Sequence, residues 1–84
     1  MQVSGVARVS TTPEGKAVME VAGRPAFELN RVALSIWTKL AAGDSPQEIS
    51  SQVAKEFVVS EEIAAKDVTR FIGQLKRHLL IYDN

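Results

Sequence analysis

At Asn30 the hydrophobic period of this chain changes, and that change limits the folds open to it. Before Asn30, short runs of small and β-branched residues are separated by turn residues. After it, apolar residues recur at helical spacing between good N-caps. Val3–Val9 reads as a first strand and Thr11-Thr12-Pro13-Glu14-Gly15 as a turn. Ala17–Val21 reads as a second strand and Gly23 as another turn. Pro25-Ala26-Phe27-Glu28-Leu29 reads as a third strand, with Phe27 and Leu29 on one face. The expectation is two successive hairpins and a small antiparallel sheet.

Three helices should follow. Asn30 caps the first, whose stripe is Ala33, Ile36, Trp37, Leu40 and Ala41, and Gly43 closes it. Trp37 lies within that stripe, so it reads as core rather than as a binding aromatic. Ser45-Pro46-Gln47-Glu48 is a capping box with Pro at the first helical position. Ile49, Val53 and Phe57 follow at intervals of four, until Val58 and Val59 break the helix. Ser60 caps the third helix, and Glu61 and Glu62 suit its positive end. Its stripe runs Ala64, Val68, Phe71, Ile72, Leu75 and Leu79, predicting nearly 20 residues. Strands followed by helices predict an α+β fold: a three-stranded antiparallel sheet, then three helices, with a winged-helix-like outline. At 84 residues the expectation is one domain over 1–84.

The side chains offer little chemistry. Cysteine is absent, which removes disulfides, thiolate metal sites and thiol nucleophiles. His78 is the single histidine and reads as a surface residue at a helix end. The five glycines are scattered, so no loop is built to cradle phosphate. No spacing suggests a metal or a cofactor, so no catalytic residue is assigned and the chain reads as a non-enzyme. Ten basic residues balance ten acidic ones, whereas nucleic-acid binders usually carry a basic excess. The third helix carries Lys66, Arg70, Lys76 and Arg77 but also Glu61, Glu62 and Asp67. A winged-helix DNA-binding protein is therefore the weaker reading. Residues 1–9 lack the pattern of a signal peptide, and no apolar run approaches a membrane span. A chain without cysteine fits a reducing cytoplasm.

Two features point to binding. Pro25 cannot donate to a sheet ladder, which marks either an edge strand or a strand start. An open edge is a template for an added strand, a recurring mode of peptide recognition. Ile63 lies about 130° from the centre of the third helix's stripe. It shares a flank with Asp67, Arg70 and Gln74, bordered by Phe71 and His78. There it either meets a ligand or packs on the loop after Phe57.

The order of these segments resembles the PqqD-like family, the RiPP recognition elements. The resemblance begins at Glu14–Val18 and covers nearly the whole chain. It rests on Phe27-Glu28-Leu29-Asn30, on Ile36-Trp37, on Gly43–Ile49, and on Asp67-Val68-Thr69-Arg70-Phe71-Ile72-Gly73-Gln74-Leu75. His78-Leu79-Leu80 departs from the family's usual Gly-Leu-Leu, which removes a helix-capping glycine.

The resemblance implies a domain that binds the leader of a ribosomally made precursor peptide as an added strand, between the third strand and the third helix. The residues implied are Pro25, Ala26, Phe27, Glu28 and Leu29 with Ile63, Asp67, Arg70, Phe71 and Gln74. The implied partner is a separate maturation enzyme. The tail-free length fits a lasso-peptide pathway, with its leader peptidase and cyclase. The alternative is a chaperone for a radical enzyme, as in pyrroloquinoline quinone assembly.

Overall fold

A computed structural model describes residues 2–82 and contains five strands and three helices. The strands are β1 (Gln2–Val3), β2 (Ala7–Thr11), β3 (Ala17–Val21), β4 (Arg24–Leu29) and β5 (Ile81–Tyr82). The helices are α1 (Arg31–Ala41), α2 (Pro46–Glu56) and α3 (Glu61–Arg77).

Strands β2, β3 and β4 form the expected antiparallel sheet in that order, so β2 and β4 are its edges. The β3–β4 connection is a two-residue turn. Ala22 (φ 52°) and Gly23 (φ 82°) both take left-handed backbone, the requirement of a tight hairpin that follows the twist of its strands. Glu20 pairs with Pro25 and Met19 with Phe27, which leaves Ala26 as an extra residue in β4. This bulge accommodates Pro25 near the strand start.

The segment Val3–Val9 is not one strand. Ser4 accepts from the Val6 N–H at 3.3 Å through its hydroxyl and from the Ala7 N–H at 3.2 Å through its carbonyl, turning the chain there. Gln2–Val3 instead pairs with Ile81–Tyr82 as a separate two-stranded sheet. Sequence reading missed this sheet because two-residue strands carry no period. Thr11 also belongs to β2, and the turn begins at Thr12.

All three expected N-caps are in place. Asn30 accepts from the Ala33 N–H at 2.8 Å and Ser60 from the Ile63 N–H at 3.2 Å. Ser45 and Glu48 bond reciprocally at 3.2 and 3.0 Å. The helices also end alike. In each, the residue two past the last helical one is left-handed: Gly43 (φ 97°), Val58 (φ 54°) and Leu79 (φ 57°). The next N–H then reaches back to a carbonyl of the last turn, as Leu80 does to Leu75 at 2.9 Å. Thus α3 stops at Arg77 after 17 residues, shorter than expected. Leu79 leaves the stripe and is 82% exposed, while Leu80 takes the buried place at 0%. The alanines at the ends of the α1 stripe also depart from expectation: Ala41 is exposed and Ala33 only partly buried.

One apolar core joins the sheet to the helices. Ala17, Met19 and Leu29 from the sheet meet Ile36, Trp37 and Leu40 of α1, Ile49 and Val53 of α2, and Val68, Phe71, Ile72 and Leu75 of α3. Trp37 is core, as its place in the stripe implied. Outside the core, Ser35 of α1 donates to Glu56 at 2.6 Å. Lys39 reaches both, at 2.6 Å to Ser35 and 3.1 Å to Glu56. These bonds tie α1 to the end of α2.

Candidate functional site: an open strand edge beside a cleft

The free side of β4 follows from the ladder. The Thr12 N–H donates to Lys16 at 2.8 Å and the Ala22 N–H to Val6 at 2.9 Å, both across the β2–β3 pair. Main-chain groups alternate in direction along a strand. Val18 and Glu20 therefore bond toward β2, and Ala17, Met19 and Val21 toward β4. Their partners on β4 are Leu29, Phe27 and Arg24. Glu28 then turns its N–H and C=O to the open side, and Pro25 offers only its C=O there. Phe27 and Leu29 turn inward, with Leu29 buried, while Pro25, Ala26 and Glu28 are exposed. Glu28 is 3.9 Å from Lys16, both well exposed, a pair worth little in water.

Beside this edge, α1 and α3 enclose a cleft of about 170 Å³. Asp67, Arg70, Phe71 and Gln74 line it from α3; Asn30, Val32, Ala33 and Ile36 line it from the start of α1. Four of the residues singled out on α3 are thus brought together. Buried Phe71 and Ile36 give it an apolar floor. Asp67 and Arg70 stand 3.9 Å apart at its rim as an i,i+3 pair, with Arg70 largely exposed. That pair leaves both groups available to a ligand, since exposed pairs contribute about 0–1 kcal/mol.

Ile63 does not line the cleft itself. At 100° per residue it continues the Asp67–Arg70–Gln74 flank one turn earlier. It is 52% exposed, so about half of its surface is open to a partner. Residues Pro25–Leu29 do not line the cleft either; they form the edge beside it.

The two halves meet where the ring of Phe27 lies 5.0 Å from that of His78. Asn30, three residues on, lies opposite the middle of α3. β4 therefore runs antiparallel to α3, and past Asn30 the helix faces the start of α1 across the cleft.

Sequence reasoning missed the α1 wall. The sequence marks Asn30 as a cap and Ala33 and Ile36 as core, and gives Val32 no role. Apolar Val32, one position off the stripe, was the available signal. Among the described residues, no three His, Asp or Glu side chains gather as a metal site. No described helix is long and apolar enough to cross a membrane.

The family described as Coenzyme PQQ synthesis protein D (PqqD) matches residues 15–81. Nothing among the curated proteins matches the chain. Two solved structures share its fold. TbiB1 in complex with the TbiA(beta) leader peptide aligns with a TM-score of 0.81 and 24% identity, over 100% of both chains. Lasso peptide synthetase B1 complexed with the leader peptide aligns with a TM-score of 0.79 and 23% identity, over 96% of this chain and 95% of that one.

Proposed function

This chain belongs to the PqqD family, and on that premise we propose that it binds the leader segment of a ribosomally synthesised precursor peptide by β-strand addition. It then presents the peptide to a separate maturation enzyme. The observation that carries this reading is the open edge of β4 beside the α1–α3 cleft. An extended peptide there gains main-chain bonds at Glu28 and Pro25. Its alternate side chains face Phe71 and the Asp67–Arg70–Gln74 rim, so the edge gives affinity and the cleft gives selectivity. Likeness in fold to two proteins solved with leader peptides supports this occupant, and the lasso B1 likeness supports a lasso leader peptidase as the enzyme.

The chain itself is proposed to be non-catalytic, to use no cofactor, and to work in the cytoplasm, where precursor peptides are made. Neither nucleic acid nor membrane is a proposed partner.

The test is a titration of ¹⁵N-labelled protein with a synthetic leader peptide from the precursor encoded beside its gene. Amide shifts should cluster in β4 and α3. Shifts confined to α2 or to the β2–β3 hairpin, or no binding at all, would overturn the reading. Cleavage of the precursor by the purified protein alone, followed by mass spectrometry, would overturn the non-catalytic assignment.

A further inference from the structure

Strand β2 has an open edge of its own. Val6, Arg8, Ser10 and Thr12 turn their main chain toward β3, following the alternation of that pair. Ala7, Val9 and Thr11 therefore turn theirs to the outside. The Ala7 N–H is already used, since it donates to Ser4 at 3.2 Å. Among the described residues, the Ala7 carbonyl and both main-chain groups of Val9 and Thr11 have no partner. Pro25 and the bulge at Ala26 blunt the β4 edge. β2 has neither device, and its five residues pair with β3 without a register shift. A regular edge of this kind is a template for another strand.

We propose that β2 pairs antiparallel with β2 of a second copy of this chain, about a twofold axis at Val9, joining the two sheets into one. The edge's own sequence identifies the occupant. In this register Val9 faces Val9 and exchanges both main-chain bonds with it. The Thr11 N–H of each copy meets the unused Ala7 carbonyl of the other. Arg8, the one charge on β2, stands opposite Ser10, so like charges do not oppose each other. An axis at Arg8 would set Arg8 against Arg8. Val9 packs against the core, so the Val9 pair joins the core-facing sides of the two sheets. Val6, 53% exposed, comes opposite Thr12 on the other face. β4 is the far edge of the sheet, so this pairing leaves both leader edges open and is independent of what β4 binds.

The experiment is sedimentation velocity of the purified protein over a concentration series reaching about 1 mM. Wild type should self-associate weakly, because a five-residue edge is a small interface. Thr11→Pro removes an outward N–H at an exposed position and spares the β2–β3 bonds. It should weaken the dimer about tenfold or more with the circular dichroism unchanged. Two variants leave the backbone alone. Ser10→Glu, facing Arg8 of the other copy, should tighten the dimer about threefold, and Ser10→Lys should weaken it by a similar factor. A wild type that stays monomeric throughout the series would overturn the pairing. So would self-association that survives Thr11→Pro in folded protein, and weakening by both Ser10 variants would rule out this register. Leader-induced amide shifts in β2 with none in β4 would give the edge a different occupant and overturn both readings.

Discussion

The ring of Phe27 rests 5.0 Å from that of His78, inclined by 38°, and this contact joins β4 to the C-terminal end of α3. With Asn30 opposite the middle of α3, it fixes the strand's direction relative to the helix. Tilted aromatic pairs contribute about 0.5–1.5 kcal/mol beyond burial. A double-mutant cycle of Phe27→Leu and His78→Ala, read by chemical denaturation, should give a coupling in that range. A coupling near zero would mean that the rings merely lie near each other.

Ile63 is the cleanest probe of the groove, because its exposure keeps the core out of the result. Burying one apolar side chain contributes about 1.5–3 kcal/mol. Ile63→Ala should therefore weaken leader binding about tenfold or more with the melting temperature unchanged. Arg70→Ala should have a smaller effect if the peptide leaves that charge exposed. Thr69→Ala, on the opposite flank, is the control. Loss of binding in the control with none in Ile63→Ala would put the groove on the wrong side of α3.

Leu79 and Leu80 are neighbours with opposite fates. Leu80 is fully buried, whereas Leu79 is left-handed and exposed. Leu80→Ala should cost about 2–5 kcal/mol, enough to threaten folding in a domain this small. Leu79→Gly should stabilise by about 0.5–1 kcal/mol. Equal melting temperatures for the two variants would contradict this assignment of the helix end.

The β3–β4 turn can also be improved. Ala22 takes the first left-handed position of the hairpin, where asparagine is preferred. Its N–H bond to Val6 is a backbone bond and survives substitution. Ala22→Asn should raise stability by about 0.5–1 kcal/mol in denaturant melts. A loss of stability would indicate that the turn has different geometry in solution.

Hydrogen bonds lower the carboxyls of two glutamates. Glu48 is held below the ordinary 4.5 by the backbone N–H of Ser45 and then by its side chain. Glu56 is lowered by the Ser35 hydroxyl and then by Lys39. Carboxyls depressed in the folded state stabilise it above their ordinary value, and the effect fades as pH falls through the folded value. The stability gap between wild type and Glu56→Gln should be constant near neutrality and shrink below about pH 4.5. A gap that widens in acid would reverse the sign and rule out this role for Glu56.

The order of elements, the three N-caps, the inward pair Phe27 and Leu29, and the α3 flank were legible in the sequence. Each depends on groups close along the chain: a cap bonds three residues ahead, and a helical face repeats every three or four. The β1–β5 pair was not legible, because it joins residues nearly eighty positions apart through two-residue strands. Nor was the exchange of Leu79 for Leu80, since the helical stripe continues on paper past the point where left-handed backbone ends it. Pro25 hinted at an edge strand, but only the sheet order made β4 an edge. Likewise, Asp67, Arg70 and Gln74 shared a flank in the sequence, while their opposing wall of Val32, Ala33 and Ile36 came from the docking of α1. Local bonding and periodicity therefore determined the elements, and long-range packing decided which surfaces face each other across the groove.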